Sequence, residues 1–374
     1  MSYDLIFFPD YRAANPYQRL LYDRLGPLHP QAGTIDDAIA MLDRAAPEQR
    51  VIFHLHWEDA IHRHIADPAS AERVVSVFMA RIDDFVARGG TLVWTMHNHG
   101  SHIGAHPALD RSLRRYLADT ADRVHVHSLR AAAPVLRQLN VSPAKLIVLP
   151  HGNYLPIHDP RGIDQAISLA GRAWPKDRPS LLLFGRLDAY KGVLDLLDAF
   201  AAADADLRLV IAGKQIAPLE PDIQDLPPAM RERVTVLDGF IAEEDVGPLF
   251  AAVDGVVLPY RTIMTSGTLM LALSMDKPVI APDLPAITDI VQDGREAILY
   301  PHGEQSALSQ ALARFAVLSE HERRRLADAA RATGHLYDWE WIARQMGGAL
   351  VEATSHGRAV RRPQRAMALS AGPG

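Results

Sequence analysis

The chain has 374 residues, enough for two α/β domains of ordinary size. Its 48% hydrophobic and 22% charged residues are typical of a folded globular protein, and a formal net charge of -6 gives no overall attraction to nucleic acid. Cysteine is absent, which excludes disulfides, thiolate metal sites and cysteine nucleophiles.

The start of the chain has no basic segment followed by a long apolar run, so it predicts a first strand rather than a signal peptide. No stretch approaches the roughly 18 apolar residues that a membrane span requires. The sequence therefore predicts a cytoplasmic protein whose contact with a membrane, where there is one, is peripheral.

Short apolar runs alternate with amphipathic segments, and this alternation predicts βαβ units with parallel sheets. The strands predicted in the first half are residues 5–8, 51–55, 91–96, 123–127 and 146–149. A helix is predicted over residues 73–88 and ends at Gly89 and Gly90. Its predicted apolar face comprises Val74, Val77, Phe78, Ile82, Phe85 and Val86.

A second series of strands follows a segment rich in proline and charge, residues 156–179, whose composition predicts a linker. These strands are residues 180–184, 208–212, 234–237, 255–258 and 278–281, and residues 339–353 form a last amphipathic helix. The predicted domains are residues 1–158, joined by a crossover helix at about 337–355, and residues 179–336. Residues 356–374, with arginines among small residues, are predicted to be disordered.

The most informative motif lies where the first strand of the second series ends. Gly185 and Arg186 follow an apolar strand, and Lys191 precedes the next helix. A glycine that admits a ligand close to the backbone, two cations and a helix N-terminus suit a diphosphate. The alternative is a solvated arginine and lysine on an ordinary loop.

Several further segments follow this motif along the chain in a characteristic order. Residues 210–213, 237–240, 258–260 and 277–281 follow it, and together with it they resemble the donor domain of GT-B glycosyltransferases, particularly family 4. Residues 94–98, 121–128 and 149–154 resemble that family's acceptor domain. The resemblance implies an α/β protein of the GT-B class, with two Rossmann-like domains whose parallel sheets face each other across a cleft.

The resemblance also implies roles for residues of the second half. Gly185, Arg186 and Lys191 would hold the donor diphosphate and stabilise the leaving group. The run Thr265, Ser266, Gly267 and Thr268 would meet phosphate or sugar oxygens, although Ser266 and Thr268 are equally suited to cap a helix. The sequence departs from the family at Ile263 and Leu271, where two glutamates are usual. The contacts to ribose and sugar that those glutamates provide are therefore in doubt.

In the first half, polar residues follow two strands at the predicted carboxyl edge of the sheet. Glu58 or Asp59 is a candidate general base, with His54 and His56 shaping the pocket. The alternative is that the two acidic residues only open the next helix. His97 matches a family position near the donor sugar, and Asn98 beside it is a candidate cleft residue. His97, His99 and His102 have close spacing, but without a fixed carboxylate they are a weak metal signal, and we predict no metal.

Two features remain open to a second interpretation. His151 and Gly152 resemble the family's cleft loop, although a histidine packed within a loop is an equal alternative. The predicted helix over residues 107–118 carries Arg111, Arg114 and Arg115, which suggest a basic face toward anionic lipid. Most such clusters are solvated surface.

The predicted function is transfer of a hexosyl group, of mannose or glucose type, from a UDP- or GDP-sugar. The expected acceptor is a saccharide, free or linked to polyprenyl diphosphate, in bacterial exopolysaccharide synthesis. No cofactor beyond the nucleotide sugar and no nucleic acid partner are expected. Two alternatives are a GT-B sugar-nucleotide epimerase and a non-catalytic binding scaffold. A nicotinamide dehydrogenase is disfavoured because no Gly-x-Gly-x-x-Gly follows the first strand.

Overall fold

The computed structural model describes residues 2–100, 106–158, 177–203, 205–304 and 306–356. These residues form two compact units, and each is described by itself. Unit 1 combines the residues up to Pro150 with a C-terminal helix from Trp339, and unit 2 is His151–Asp338. Most of the predicted linker, residues 159–176, and the predicted disordered tail beyond His356 lie outside the described residues.

The described part of unit 1 is built on a six-stranded parallel sheet with the order β2-β1-β3-β4-β5-β6. Its strands are β1 (Ser2–Phe8), β2 (Leu28–Ala32), β3 (Gln49–Leu55), β4 (Thr91–Thr95), β5 (Arg123–Val126) and β6 (Leu146–Val148). Its helices are α1 (Pro16–Tyr22), α2 (Ile35–Arg44), α3 (Pro68–Ala87), α4 (Pro107–Thr120), α5 (Leu129–Gln138) and the C-terminal helix (Trp339–His356). Trp339 is buried and packs edge to face on Tyr17 of α1, with ring centroids 5.5 Å apart.

Unit 2 has a second six-stranded parallel sheet among its described residues, in the order β12-β11-β10-β7-β8-β9. The strands are β7 (Ser180–Phe184), β8 (Arg208–Gly213), β9 (Val234–Asp238), β10 (Gly255–Val257), β11 (Val279–Pro282) and β12 (Ala297–Tyr300). The helices are α6 (Val193–Ala203), α7 (Glu220–Gln224), α8 (Pro228–Arg231), α9 (Glu243–Ala251), α10 (Gly267–Ser274), α11 (Pro285–Thr288), α12 (Ala307–Ala316) and α13 (Glu320–His335).

The two sheets confirm the predicted α/β class and the ten predicted strands, each within a few residues of its observed ends. The sequence missed β2 and β12, which both lie at the edge of a sheet. Only Leu28 of β2 is buried, so β2 lacks the apolar run by which the other strands are recognised. β12 is apolar and as long as β11, and the sequence reasoning passed over it.

The predicted apolar face of α3 was wrong in part. The helix begins at Pro68, where Asp67 accepts a hydrogen bond from the Ser70 backbone N–H, and its buried residues are Ala71, Val75, Ile82 and Phe85. Val74 and Val77 are 40% and 63% exposed. The error arose because a start at residue 73 left Ala71 out of the pattern, and Ala71 marks the true buried stripe at steps of four and three residues.

Candidate active site

The carboxyl end of β7 is a tight turn that requires glycine. Gly185 has φ +100°, and a Cβ there would lie 2.7 Å from the Lys191 Nζ. At the end of the neighbouring β8, a Cβ on Gly213 would lie 2.0 Å from the Gly185 carbonyl oxygen. The backbones of the two strand ends are therefore in close contact. The Lys191 ammonium lies where any residue other than glycine at position 185 would place its Cβ.

Lys191 is the last residue of a short 3-10 helix, Ala189–Lys191, that leads into α6. Its side chain is buried, with 6% exposure, and Nζ donates a hydrogen bond of 2.8 Å to the Phe184 carbonyl oxygen. Burial lowers the pKa of Lys191 to about 8, and the nearby carboxylate of Asp188 opposes this shift. The sequence thus places a poorly solvated cation at the sheet edge, where an anionic ligand would stabilise it.

Arg186 lies in the same turn but in a different environment. Its side chain is 50% exposed, and Nε is 3.3 Å from the Asp188 Oδ2. An exposed ion pair of this kind contributes little to stability, so the guanidinium is available to a ligand at low cost. The predicted diphosphate roles of Arg186 and Lys191 stay predictions.

Helix α10 begins beside this turn. Ser266 is its N-cap, and its Oγ accepts a 3.0 Å hydrogen bond from the Leu269 N–H and lies 2.9 Å from the Tyr260 hydroxyl. The hydroxyl is therefore used within the protein, as the capping alternative predicted. Thr265 and Thr268 are half-buried, and the Thr268 Oγ1 lies 3.9 Å from the position of a Cβ on Gly185. Thr268 is thus the hydroxyl of this run that the structure brings to the β7 turn.

Gly267 and His151 meet within unit 2. A Cβ on Gly267 would lie 2.9 Å from the Tyr154 hydroxyl and 3.7 Å from the His151 Nε2. His151 is buried and its Nδ1 donates a 2.7 Å hydrogen bond to the Gly152 carbonyl oxygen, while burial lowers its pKa to about 4. His151 is therefore neutral near pH 7, with its lone pair on Nε2. Gly152 is also buried.

The two positions where the family usually has glutamate are apolar in this chain. Leu271 is 6% exposed and belongs to the buried side of α10. Ile263 is half-buried in the loop that precedes this helix. Carboxylate contacts to the ribose and the sugar are consequently missing from these two positions.

In unit 1, Glu58 opens a 3-10 helix, Glu58–Ile61, directly after β3. Its Oε2 accepts a 3.2 Å hydrogen bond from the Trp94 Nε1, and its Oε1 lies 3.1 Å from the Arg114 Nε. Burial raises the pKa of Glu58, and the Arg114 charge opposes this shift. Both oxygens have partners within the protein, an arrangement that favours a positioning role over proton abstraction.

Arg114 is the residue of this cluster that the sequence analysis missed, because it was assigned to an exposed basic face. It is buried, at 5% exposure, whereas Arg111 and Arg115 are exposed. Its guanidinium donates to the carbonyl oxygens of Asn98 and His99. The ion pair with Glu58 therefore holds the loop that follows β4.

Asp59 and Asn98 are less constrained. Asp59 is half-buried and its Oδ2 lies 3.7 Å from the Arg63 Nη1. Asn98 is half-buried in the loop held by Arg114. The predicted base role of Asp59 and the acceptor role of Asn98 stay predictions.

His56 and His97 come together at the ends of β3 and β4. The His97 Nε2 lies 2.8 Å from the His56 Nδ1, and both rings are buried. Burial, together with repulsion from neighbouring histidines, lowers the pKa of His56 well below its usual value. The Trp57 ring stacks on His97 with centroids 4.1 Å apart and planes 8° apart. Two buried imidazoles, of which His56 is neutral near pH 7, therefore lie in a rigid aromatic setting.

Among the described residues, no group of three or more histidine, aspartate or glutamate side chains is arranged to bind a metal ion. His102, part of the weak metal signal, lies outside the described residues. No described helix is both long and apolar enough to cross a bilayer.

Comparison with known proteins identifies related sequences. A family model described as "Glycosyl transferases group 1" matches residues 178–316. The chain is 29% identical over 269 residues to a GDP-mannose:glycolipid 4-beta-D-mannosyltransferase of Xanthomonas campestris pv. campestris, covering 72% of this chain and 70% of that protein. It is 29% identical over 177 residues to an alpha-D-kanosaminyltransferase of Streptomyces kanamyceticus, covering 46% of this chain and 45% of that protein.

Solved structures share the fold. A glycosyltransferase from Rickettsia africae ESF-5 superimposes with a TM-score of 0.69 at 14% identity, over 95% of this chain and 99% of that one. Sucrose-phosphate synthase from Thermosynechococcus elongatus gives a TM-score of 0.67 at 19% identity, over 95% and 100%. Identities this low establish the architecture and leave the chemistry to the site itself.

Proposed function

Because this chain is a glycosyltransferase with the GT-B fold, of the family 4 type, and transfers a hexosyl group, we propose that its donor is GDP-mannose and its acceptor a lipid-linked saccharide. The X. campestris relative, matched over most of both chains, carries GDP-mannose and a glycolipid in its name. A GDP-mannose-dependent alpha-mannosyltransferase of Mycobacterium tuberculosis is also similar, at 31% identity over 179 residues, covering 47% of this chain and 44% of that protein.

The observation that carries the donor role is the buried ammonium of Lys191 at Gly185. Charge grows on the diphosphate as the glycosidic bond breaks, and a cation already removed from water stabilises that charge strongly. Arg186 adds a second cation from a half-exposed position. In this proposal the two side chains neutralise the departing GDP, and no metal ion is needed for that step.

We further propose that transfer inverts the anomeric centre. An α-linked nucleotide sugar gives a β product only by inversion, and inversion needs a base on the acceptor side. Unit 1 offers buried imidazoles for that purpose, whereas Glu58 is engaged by Trp94 and Arg114. The names of the relatives include both β and α transferases, so the anomeric configuration of the product decides this point.

A thermal-shift panel tests the donor. A ligand at 100 times its Kd adds about 2.7 kcal/mol of stability, and we expect GDP and GDP-mannose to exceed UDP and UDP-glucose, with no shift from NAD. Arg186→Ala should abolish the shift. Its matched control is Arg314→Ala, since Arg314 is 47% exposed and forms a comparable ion pair with Asp293. A larger shift with UDP than with GDP would refute the GDP-mannose assignment.

Turnover identifies the acceptor. GDP-mannose with radiolabelled mannose is incubated with a lipid extract that contains polyprenyl-diphosphate-linked saccharides, and label entering the lipid phase supports the proposal. The one-bond carbon–hydrogen coupling at the anomeric centre of the product gives its configuration. Donor incubated alone should undergo slow hydrolysis at most, because a change of sugar without acceptor is the behaviour of an epimerase.

The lipid-linked acceptor leads us to propose that the enzyme works at the inner face of a membrane. The basic face offered for this contact is smaller than the sequence suggested, because Arg114 is buried and only Arg111 and Arg115 of the three are exposed. Co-sedimentation with vesicles that contain anionic lipid tests the contact, and equal recovery with neutral vesicles would argue against an electrostatic attachment.

A further inference from the structure

Trp57 lies two residues beyond the end of β3 and has a backbone conformation that glycine adopts far more readily. Its φ is +32° and its ψ is +67°, in the left-handed region. Among the described residues other than glycine, only Asn140 and Asp276 also have a positive φ, and asparagine and aspartate tolerate that region well. A bulky aromatic residue there is strained, and strain of this kind is concentrated at functional sites.

Buried neighbours on both sides hold Trp57 in this conformation. The preceding residue, His56, is buried, and its backbone N–H donates a 2.7 Å hydrogen bond to the Phe8 carbonyl oxygen. The following residue, Glu58, is buried, and both of its carboxylate oxygens contact buried side chains. The Trp57 carbonyl oxygen accepts a 2.9 Å hydrogen bond from the Ala60 N–H. The strain is therefore offset by contacts that do not involve the indole ring.

The left-handed backbone also decides where the indole ring lies. Adjacent side chains of an extended strand point to opposite sides, so an extended Trp57 would point away from His56. Instead both rings contact His97, with centroid distances of 4.1 Å from Trp57 and 5.1 Å from His56. The strained residue thus places the indole beside the imidazoles at the ends of β3 and β4.

The indole ring is held on one face and remains half-buried. The His97 ring stacks on it with planes 8° apart. Tyr11 lies 5.2 Å away with its plane tilted by 48°, and Tyr17 meets the indole nearly edge on at 6.3 Å. Among the described residues, no second ring lies flat on the indole and none forms a hydrogen bond with its N–H. The face opposite His97 is therefore not covered by another stacked ring.

A ring of this kind suits a sugar. The C–H groups on one side of a pyranose carry partial positive charge, and the π face of an aromatic ring is negative. The stack on His97 fixes the indole before a ligand arrives, so little conformational freedom is lost on binding. A sugar hydroxyl at the edge of the ring can in addition accept a hydrogen bond from the indole N–H.

We propose that Trp57 is the platform on which the saccharide part of the acceptor stacks. The inference rests on the proposed function, with unit 1 as the acceptor side. Donor and acceptor both contain a sugar ring, and the position of Trp57 at the end of β3 assigns it to the acceptor, because the diphosphate residues Gly185 and Lys191 belong to unit 2. Trp57 then selects an acceptor that offers a sugar ring over a simple alcohol.

Two substitutions separate the aromatic ring from its apolar bulk. Trp57→Leu removes the ring and keeps an apolar side chain, whereas Trp57→Phe keeps a ring. We expect Trp57→Leu to raise the KM for the lipid-linked saccharide by about 5- to 20-fold and Trp57→Phe to raise it by no more than about 3-fold. The donor KM and the thermal shift produced by the donor should not change. The assay uses a dilution series of one lipid extract and whichever nucleotide sugar the wild type turns over.

The matched control is Trp341→Leu, because Trp341 is a 47% exposed tryptophan of the same unit. Its acceptor KM should equal that of the wild type. A purely structural role for Trp57 predicts that Trp57→Leu melts earlier and keeps the wild-type acceptor KM, since KM does not depend on the amount of folded enzyme. That result, or a rise in the donor KM in place of the acceptor KM, would overturn the proposal.

Fluorine NMR detects the contact without turnover. The chain has five tryptophans, and labelling with 5-fluorotryptophan gives a Trp57 resonance that is identified by its loss in Trp57→Phe. The lipid extract in detergent, at a concentration that saturates transfer, should shift this resonance relative to detergent alone and leave that of the buried Trp94 in place. An unshifted Trp57 resonance under these conditions would contradict the proposal. Failure of GDP-mannose in the donor panel, with the Trp57 shift present, would instead refute only the donor assignment.

Discussion

Lys191 lowers the stability of the ligand-free protein, and its replacement should show this. The pKa of Lys191 falls from 10.5 to about 8, a difference of 2.5, because its ammonium is buried. At 1.36 kcal/mol per pKa unit the charge costs about 3 kcal/mol at pH 7. Lys191→Met removes that cost, but it also removes the hydrogen bond to the Phe184 carbonyl oxygen, worth about 1 kcal/mol.

The expected net result is a variant about 2 kcal/mol more stable than the wild type at pH 7, with a melting temperature higher by roughly 4–8 °C. The same variant should lose the thermal shift produced by GDP, because the diphosphate loses its buried cation. Lys214→Met is the control, since Lys214 is exposed and its replacement should change stability by less than about 0.5 kcal/mol.

The pH dependence has a definite sign. The unfolded chain holds the Lys191 proton up to pH 10.5 and the folded protein only up to about pH 8, so the unfolded state binds more protons in that window. The contribution of Lys191 to wild-type stability therefore rises between pH 8 and 10.5, and the advantage of Lys191→Met disappears over the same range. Denaturant unfolding at pH 7, 9 and 10.5 measures this. A variant less stable than the wild type at pH 7 would refute the reasoning.

Four further outcomes are expected. Glu58→Gln should lower the free energy of unfolding by about 2 kcal/mol in denaturant titrations, because the charge-assisted contact with Arg114 is lost. His151 has a pKa of about 4 in the folded protein and 6.5 in the unfolded chain, so acidification from pH 6.5 to about 4 should lower the free energy of unfolding by about 3 kcal/mol. His151→Gln should remove that part of the pH dependence. Gly267→Ala should weaken GDP binding in calorimetry, since its Cβ would lie 2.9 Å from the Tyr154 hydroxyl. Dialysis against EDTA should leave the rate of glycosyl transfer unchanged. A loss of activity that Mg²⁺ restores would refute the proposal that Lys191 and Arg186 neutralise the departing GDP without a metal ion.

The donor-side motif was accessible to sequence reasoning because its parts are close in the chain. Gly185, Arg186 and Lys191 fall within one strand-to-helix connection, and an apolar run ending in glycine already specifies the local geometry. The sequence did not reveal that Lys191 is buried while Arg186 is half exposed. That difference depends on Gly213 and the Phe184 carbonyl oxygen, which the neighbouring strand and the turn bring close to the lysine.

Unit 1 shows the opposite case. Alternation along β3 predicts that His54 and His56 share one face, and the sequence reasoning accordingly grouped them. The hydroxyl that joins them belongs to Tyr22, more than thirty positions earlier on α1, and Arg114 reaches Glu58 from α4. Contacts of this range leave no periodic signal in one sequence. The strand ends were therefore predictable, whereas the partners of His54, His56 and Glu58 required the fold.

Two features make the candidate site less negatively charged. Ile263 and Leu271 stand where the family usually has glutamate, and histidines are concentrated at the ends of β3 and β4. Ile263 and Leu271 contribute no negative charge, so in the proposed donor site neither position competes with a diphosphate for Lys191. On the acceptor side, the proposed base is a buried imidazole rather than a carboxylate. An imidazole that takes a proton becomes an imidazolium cation, whereas a carboxylate becomes a neutral acid. The imidazolium is stabilised when its second N–H has a hydrogen-bond acceptor. The His56 Nδ1 lies 2.8 Å from the His97 Nε2, and the Tyr22 hydroxyl bonds the other ring nitrogen of His56.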